Sequence, residues 1–160
     1  MQFLSISEIR KELDHLDRKD LVSMVVELSK LSQHNKAFIG IKLASTDNPN
    51  IFLDTAKQEL ETLFMDANSS NYHLAKKSIQ GIRRKLNLKL KLSKDKIQLA
   101  ELLLYFCRLM REYGYLGFRH PVIDNLYQMQ YSKASKMVSG LHEDFQYDFE
   151  GPLEELAYKR

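Results

Sequence analysis

The chain has 160 residues, of which 44% are hydrophobic and 28% are charged, and its formal net charge is +3. This composition is ordinary for a soluble globular domain that buries its own hydrophobic core. Three prolines and six glycines favour long regular elements over a sandwich of strands with many tight turns. The single cysteine, Cys107, excludes an internal disulfide, and its apolar surroundings predict a buried, inert thiol.

The N-terminal residues MQFLSISEIRKEL lack the basic region and the apolar run of a signal peptide. The longest strongly apolar run, residues 102–107, is much shorter than the roughly twenty residues that cross a bilayer. We therefore expect a protein of the cytoplasm that has no membrane anchor.

Apolar residues recur at helical spacing along almost the whole chain. Ser5 and Glu8 have the spacing of a capping box at the start of a first helix, and a second helix is predicted to begin near Asp17. The short interval HLDRKD predicts that these two helices form an antiparallel pair. The segment HNKAFIGIKLAS predicts a short third helix, and a fourth helix follows the loop STDNPN.

The second half of the chain predicts three longer helices and a tail. The fifth helix covers about residues 71–86, and the alternating leucines of residues 86–92 are interpreted as an extended connector whose lysines point to water. The sixth helix, ending near residue 113, is apolar nearly all round and belongs in the middle of the fold. The seventh covers about residues 121–141. Gly151 and Pro152 are predicted to break the acidic tail, with a short terminal helix after them.

These elements predict an all-α fold of about seven amphipathic helices, with the sixth helix central. Two arrangements stay open, a compact bundle and a short α-solenoid-like stack of helix pairs. We expect one helical domain over residues 1–160. Its acidic tail, residues 142–160, is either peripheral or folded back onto the basic fifth helix.

Positive charge is concentrated in residues 76–96, which hold nine basic residues and one acidic residue. Such a surface suits a nucleic-acid backbone or an acidic protein partner, and the alternative is a solvated face balanced by the acidic tail. No DNA-reading motif accompanies the stretch, and it contains no aromatic residue for stacking on bases. The candidate contact residues are Lys76, Lys77, Arg83, Arg84, Lys85, Lys89 and Lys91.

The loop after the sixth helix, GYLGFRHP, places large amphipathic side chains between two predicted helices. Loop residues of this kind are often contact anchors for a protein partner, although aromatic side chains also fold back onto the body of a domain. The candidate partner-binding residues are Tyr115, Phe118, Arg119 and His120.

Catalytic and metal-binding patterns are weak in this sequence. No two histidines have the i, i+4 spacing of a zinc-binding helix, and Cys-x-x-Cys is absent. Glu12 and His15 have the spacing of half a di-iron site, but the second pair that such a site needs is missing. His120 and Asp124 lie one helical turn apart without a matching nucleophile. We predict no metal, no cofactor and no catalytic residue, and an enzyme is the third hypothesis.

Four amphipathic segments follow one another in the order LDRKDLVSMVVELSKL, LDTAKQELETLF, LAKKSIQGIRRKL and LAELLLYFCRLMREYGYL. This arrangement is similar to a family of small bacterial helical proteins of unknown function, and the resemblance covers most of the chain. It implies an all-helical fold and no established activity, so it assigns no functional residue.

Two functional hypotheses lead. The first is a non-catalytic interaction module, which binds an unknown protein partner through the loop residues and the basic fifth helix. The alternative is a nucleic-acid-associated protein that uses the basic stretch of residues 76–96.

Overall fold

The computed structural model describes residues 3–158, and all regular structure in this range is helical. The predicted all-α class is therefore confirmed, with eight α-helices and one 3-10 turn, Tyr115–Phe118, in this range. None of the described helices combines the length and the apolar character needed to cross a membrane. The helices are α1 (Ile6–Leu13), α2 (Arg18–Leu31), α3 (Gln33–Ala44), α4 (Ile51–Met65), α5 (Tyr72–Lys89), α6 (Lys96–Glu112), α7 (Pro121–Ser139) and α8 (Glu143–Leu156).

Packing contacts divide the chain into two compact units, an N-terminal unit of residues 3–46 and a C-terminal unit of residues 47–158. In the N-terminal unit, the predicted capping box is present at the start of α1, where Ser5 and Glu8 bind each other's backbone amides. The predicted antiparallel pair of α1 and α2 is not observed, because α2 packs mainly against α3. Ser32 joins these two helices directly, ending α2 in an extended conformation and capping α3.

Helix α6 is the centre of the C-terminal unit and packs against α4, α7 and α8. Nine of its 17 residues are buried, and Leu103, Phe106 and Met110 have no exposed surface. The prediction of a central sixth helix is thus confirmed, because apolar side chains on every side of a helix need neighbours on every side. The C-terminal unit is a bundle around α6.

The predicted extended connector over residues 86–92 is wrong, because α5 continues to Lys89. Leu86 and Leu92 are buried while Leu88 is exposed, so the alternating leucines do not share one buried face as an extended connector would require. The side chain of Lys89 also turns away from water and pairs with the carboxylate of Glu59 on α4. A helix satisfies the backbone hydrogen bonds of this segment internally, whereas an isolated extended segment would leave them unpaired.

Helix α8 continues through Gly151 and Pro152, so the predicted break in the acidic tail is also wrong. Proline inside a helix removes one backbone hydrogen bond and costs about 3 kcal/mol. The helix persists because its apolar side packs against α6 and α7, burying Phe149 before the proline and Leu156 after it.

Three side chains hold the C-terminal end of α8, and we call them the carbonyl clamp. The last four carbonyl groups of an α-helix have no partner within the helix, and the clamp supplies donors to them. The positive charge of its arginine also suits the negative end of the helix dipole. The bonds join Arg111 to the carbonyls of Glu155 (2.6 Å) and Ala157 (2.9 Å), the Tyr127 hydroxyl to that of Leu156 (2.6 Å), and the Tyr131 hydroxyl to that of Leu153 (2.8 Å).

Candidate functional site

The basic residues predicted as contacts lie on α5 and in the turn after it, and most of them face solvent. Lys77, Arg84, Lys85 and Lys91 are exposed, while Lys76 and Arg83 are half-buried beside the apolar stripe. In the described part of the chain, none of these six side chains has a carboxylate within 4.0 Å. Lys89 is different, because it pairs with Glu59 and burial lowers the pKa of its ammonium group. We call the six unpaired residues the basic face.

The acidic residues of α8 do not form ion pairs with the basic face. Helix α8 packs against α6 and α7. Among residues 3–158, the carboxylate of Glu155 pairs with Arg108 of α6 (3.7 Å), and a carboxylate oxygen of Asp144 lies 3.3 Å from Nδ1 of His142. The positive charge of the basic face is therefore available to a partner outside the chain.

An aromatic stack joins the start of α5 to the loop that follows α6. The rings of Tyr72 and His120 stack with their centroids 3.8 Å apart, and the Lys76 ammonium lies 5.6 Å from the Tyr72 centroid. Nδ1 of His120 accepts a hydrogen bond from the amide of Val122 (3.2 Å) and so caps α7. The two predicted contact regions, the basic helix and the loop, consequently adjoin each other.

The four loop residues predicted to bind a partner have different environments. Tyr115 is 1% exposed and lies edge-on to Phe64 of α4, with ring centroids 5.6 Å apart, so it belongs to the core. Phe118 and His120 are half-buried. Arg119 is exposed, and it is the one non-glycine residue among those described whose φ is positive (47°). Strained backbone of this kind costs about 1–3 kcal/mol and is concentrated at functional sites.

A cavity of about 1180 Å³ lies beneath this loop, and we call it the loop pocket. Leu116, Gly117 and Arg119 of the loop line one part of it. The remaining lining residues come from α6, α7 and the end of α8, and they are Arg111, Asp124, Gly151, Glu154, Glu155, Ala157 and Tyr158. Because the carbonyl clamp fixes the end of α8, it also fixes this wall of the pocket.

Asp124 is the unusual residue of the loop pocket. Its side chain is 4% exposed, and its Oδ1 is buried without a hydrogen-bond partner. No cationic side chain among the described residues lies within 4.0 Å of it. Asp124 lies in the first turn of α7, one helical turn after His120. The two side chains form no ion pair, and the imidazole of His120 stacks on Tyr72 instead. Buried carboxylates normally have a hydrogen-bond donor or a cation as partner, and the carboxylate of Asp124 is an exception within this chain.

The helices of the N-terminal unit expose much apolar surface, which sequence analysis missed. No residue of α1, α2 or α3 is buried. Contiguous exposed apolar surface marks contact sites in soluble proteins. The only sequence signal is that α2 carries valines outside its apolar stripe. The large apolar side chains exposed on α2 are Val22, Met24, Val25, Val26, Leu28 and Leu31.

Two observations on residues 3–158 concern metal-binding groups and the single thiol. No three His, Cys, Asp or Glu side chains in this range are placed to hold a metal ion. Cys107 is fully buried, as predicted, and burial raises the pKa of its thiol to about 12. A neutral, inaccessible thiol is not a nucleophile near neutral pH.

Comparison with known proteins assigns no family to the chain. No protein-family model matches it, and neither a curated protein nor a solved structure matches it at a significant level. The resemblance to small bacterial helical proteins therefore stays a prediction.

Proposed function

We propose that the protein is a non-catalytic interaction module that binds a protein partner through the apolar side chains of α2. The observation that carries this proposal is the absence of any buried residue from α1, α2 and α3. Covering a large apolar side chain gains about 1.5–3 kcal/mol relative to leaving it in water. Met24, Leu28 and Leu31 are 41%, 45% and 74% exposed, so covering each of them gains part of that amount. Together they supply a gain comparable to the lower end of the cost of association, which is about 4–15 kcal/mol. The expected location is the cytoplasm.

The spacing of these residues indicates how the partner would bind. Leu21, Met24, Leu28 and Leu31 recur at steps of three and four residues, which places them along one side of α2. Leu31 at the end of this side is 74% exposed. Anchors at this spacing are used when an amphipathic helix docks into an apolar groove or against another helix.

Affinity capture with the tagged full-length chain tests this proposal. Leu28→Glu places a charge on the apolar side of α2, whereas Ser23→Glu places the same charge on the opposite side as a matched control. We expect the wild type and the Ser23→Glu variant to retain the same protein in comparable amount, and the Leu28→Glu variant to lose it. Circular dichroism must show equal helix content in all three. A protein retained equally by Leu28→Glu, or no protein retained by any of them, contradicts the proposal.

The second candidate function is nucleic-acid binding, which the unpaired charges of the basic face favour. Phosphate contacts make the logarithm of the binding constant fall with that of the salt concentration, with a slope of about −0.9 per duplex phosphate neutralised. Lys77→Glu/Arg84→Glu should abolish such binding, and Arg10→Glu/Lys11→Glu, the same change on exposed residues of α1, should retain most of it. Absence of DNA and RNA binding at low salt would reject this function.

A further inference from the structure

We propose that the loop pocket binds a cationic group, specifically a guanidinium, through the carboxylate of Asp124. This site lies entirely in the C-terminal unit and uses none of the apolar residues of α2. Its success or failure is therefore independent of the proposed protein partner. The inference rests on the unpaired carboxylate, on the charges around it and on the shape of the pocket.

The carboxylate of Asp124 is positioned to receive a ligand. Its backbone is fixed in the first turn of α7, where its amide donates to the carbonyl of His120 (2.9 Å). The stacking of His120 on Tyr72 holds that turn in place. The side chain of Asp124 lines the cavity, and its Oδ1 is buried without a hydrogen-bond donor. A buried polar atom without a hydrogen-bond partner is costly and calls for an explanation.

The chain's own arginines do not supply the missing partner. Arg111 lines the pocket, but its guanidinium donates to the carbonyls of Glu155 and Ala157 as part of the carbonyl clamp. Arg119 also lines the pocket, yet it lies more than 4.0 Å from the carboxylate of Asp124, and its side chain is exposed. The left-handed backbone at Arg119 fixes the direction of the loop at this point.

The chemistry of the pocket favours a guanidinium over an ammonium group. A carboxylate can accept two parallel hydrogen bonds from a planar guanidinium, which an ammonium cannot match, and Oδ1 of Asp124 lacks a donor within the chain. Glu154 adds negative charge, and Tyr158 offers an aromatic face on which a guanidinium can stack. The cavity of about 1180 Å³ exceeds the volume of one arginine side chain, so the guanidinium would belong either to a peptide or to a small molecule.

Nuclear magnetic resonance of the labelled full-length chain tests this inference. The probes are N-acetyl-L-arginine amide and its uncharged isostere, N-acetyl-L-citrulline amide. Gly117 and Gly151 line the pocket, and their backbone amides report on its occupancy. We expect saturable shifts of both signals with the arginine probe, with Kd on the order of 1 mM, and at least about tenfold weaker binding of the citrulline probe. A pentapeptide with arginine at its centre that binds more tightly than the amide would identify a peptide as the source.

Variants complete the test. Asp124→Asn should abolish the shifts, because a neutral amide does not offer a guanidinium the charge-assisted hydrogen bonds of a carboxylate. Glu150→Gln, the same kind of change on an exposed residue of α8 that does not line the pocket, should retain binding. Equal binding of the two probes, no shift up to the solubility limit, or binding retained by Asp124→Asn overturns the inference. So does an equal fall of the Tm in Asp124→Asn and Arg119→Gln, since Arg119 would then be the partner of Asp124 in solution.

Discussion

Removal of the Tyr127 hydroxyl tests whether the carbonyl clamp holds α8 in place. Tyr127→Phe keeps the buried ring and removes only the donor that lies 2.6 Å from the carbonyl of Leu156. Leu156 is 1% exposed, so water does not readily replace the lost hydrogen bond. Leaving a buried acceptor unpaired costs about 1–3 kcal/mol, and we expect the variant to lose about 2 kcal/mol of stability.

The matched control is Tyr131→Phe. The Tyr131 hydroxyl donates to the carbonyl of Leu153 (2.8 Å), but Tyr131 and Leu153 are only half-buried and water can take over the bond. We therefore expect a loss below about 1 kcal/mol, the typical net value of one hydrogen bond. Urea unfolding followed by circular dichroism at 222 nm measures both losses, and equal slopes would show that compactness is unchanged.

Two results would refute this explanation of α8. One is a Tyr127→Phe variant as stable as the wild type, and the other is a larger loss in Tyr131→Phe. A double-mutant cycle with Arg111→Met adds a third check, because the guanidinium of Arg111 lies 5.6 Å from the Tyr127 ring centroid and both residues hold the end of α8. Partners in one network should be non-additive by about 0.5–3 kcal/mol.

Three further outcomes are expected. The side chain of Gln130 has no exposed surface, and its Oε1 and Nε2 lack partners; Gln130→Met should raise the free energy of unfolding by about 1–2 kcal/mol, and a loss in urea unfolding would instead indicate a bridging water. Cys107 should not react with a thiol reagent at pH 8 until urea unfolds the chain, and rapid native-state labelling would contradict its burial. Burial raises the pKa of Cys107 and of Tyr127 to about 12, from ordinary values of 9.0 and 10.0. The stability that these neutral groups contribute is complete below pH 9 and is lost as the pH rises toward 12. The urea midpoint of unfolding should therefore fall over that range, and it should fall less in Tyr127→Phe. A midpoint that does not change with pH contradicts this prediction.

The sequence predicted those features that depend on local pattern. The position of α6 followed from its apolar residues, which lie on all sides of one helix and need no knowledge of its neighbours. The capping box of Ser5 and Glu8 acts over three residues and was equally visible. Burial of Cys107 followed from the same apolar stretch.

The wrong predictions concern segments whose structure depends on distant residues. Lys89 pairs with Glu59, a residue thirty positions earlier in the chain, which alternation within residues 86–92 cannot reveal. Continuation of α8 past Pro152 depends on packing against α6 and α7 and on hydrogen bonds from residues 22 to 46 positions away along the chain. Local propensity at Pro152 therefore could not decide the outcome.

The candidate site was only partly predictable for the same reason. Tyr115, Phe118, Arg119 and His120 were predicted as contacts for a protein partner, and of these four only Arg119 lines the loop pocket. The packing of Tyr115 against Phe64, which local sequence does not reveal, shows that Tyr115 faces inward. Asp124 was noticed for its spacing from His120. The cavity that makes it a candidate ligand-binding residue is formed where the end of α8 packs against α6 and α7, which the local sequence does not reveal. The exposed side of α2 has the same periodicity as the buried side of a core helix. The local sequence therefore could not show whether the chain itself covers these residues.

The shallow packing of the N-terminal unit has a consequence for hydrogen exchange. Helices α1, α2 and α3 have 8, 14 and 12 residues, and isolated helices shorter than about 12–15 residues are marginal in water. Their amides should exchange with deuterium through local opening, while those of α6 should exchange only when the whole C-terminal unit opens. Whatever molecule covers α2 would slow that exchange and leave a footprint of protected amides from which its binding position could be mapped.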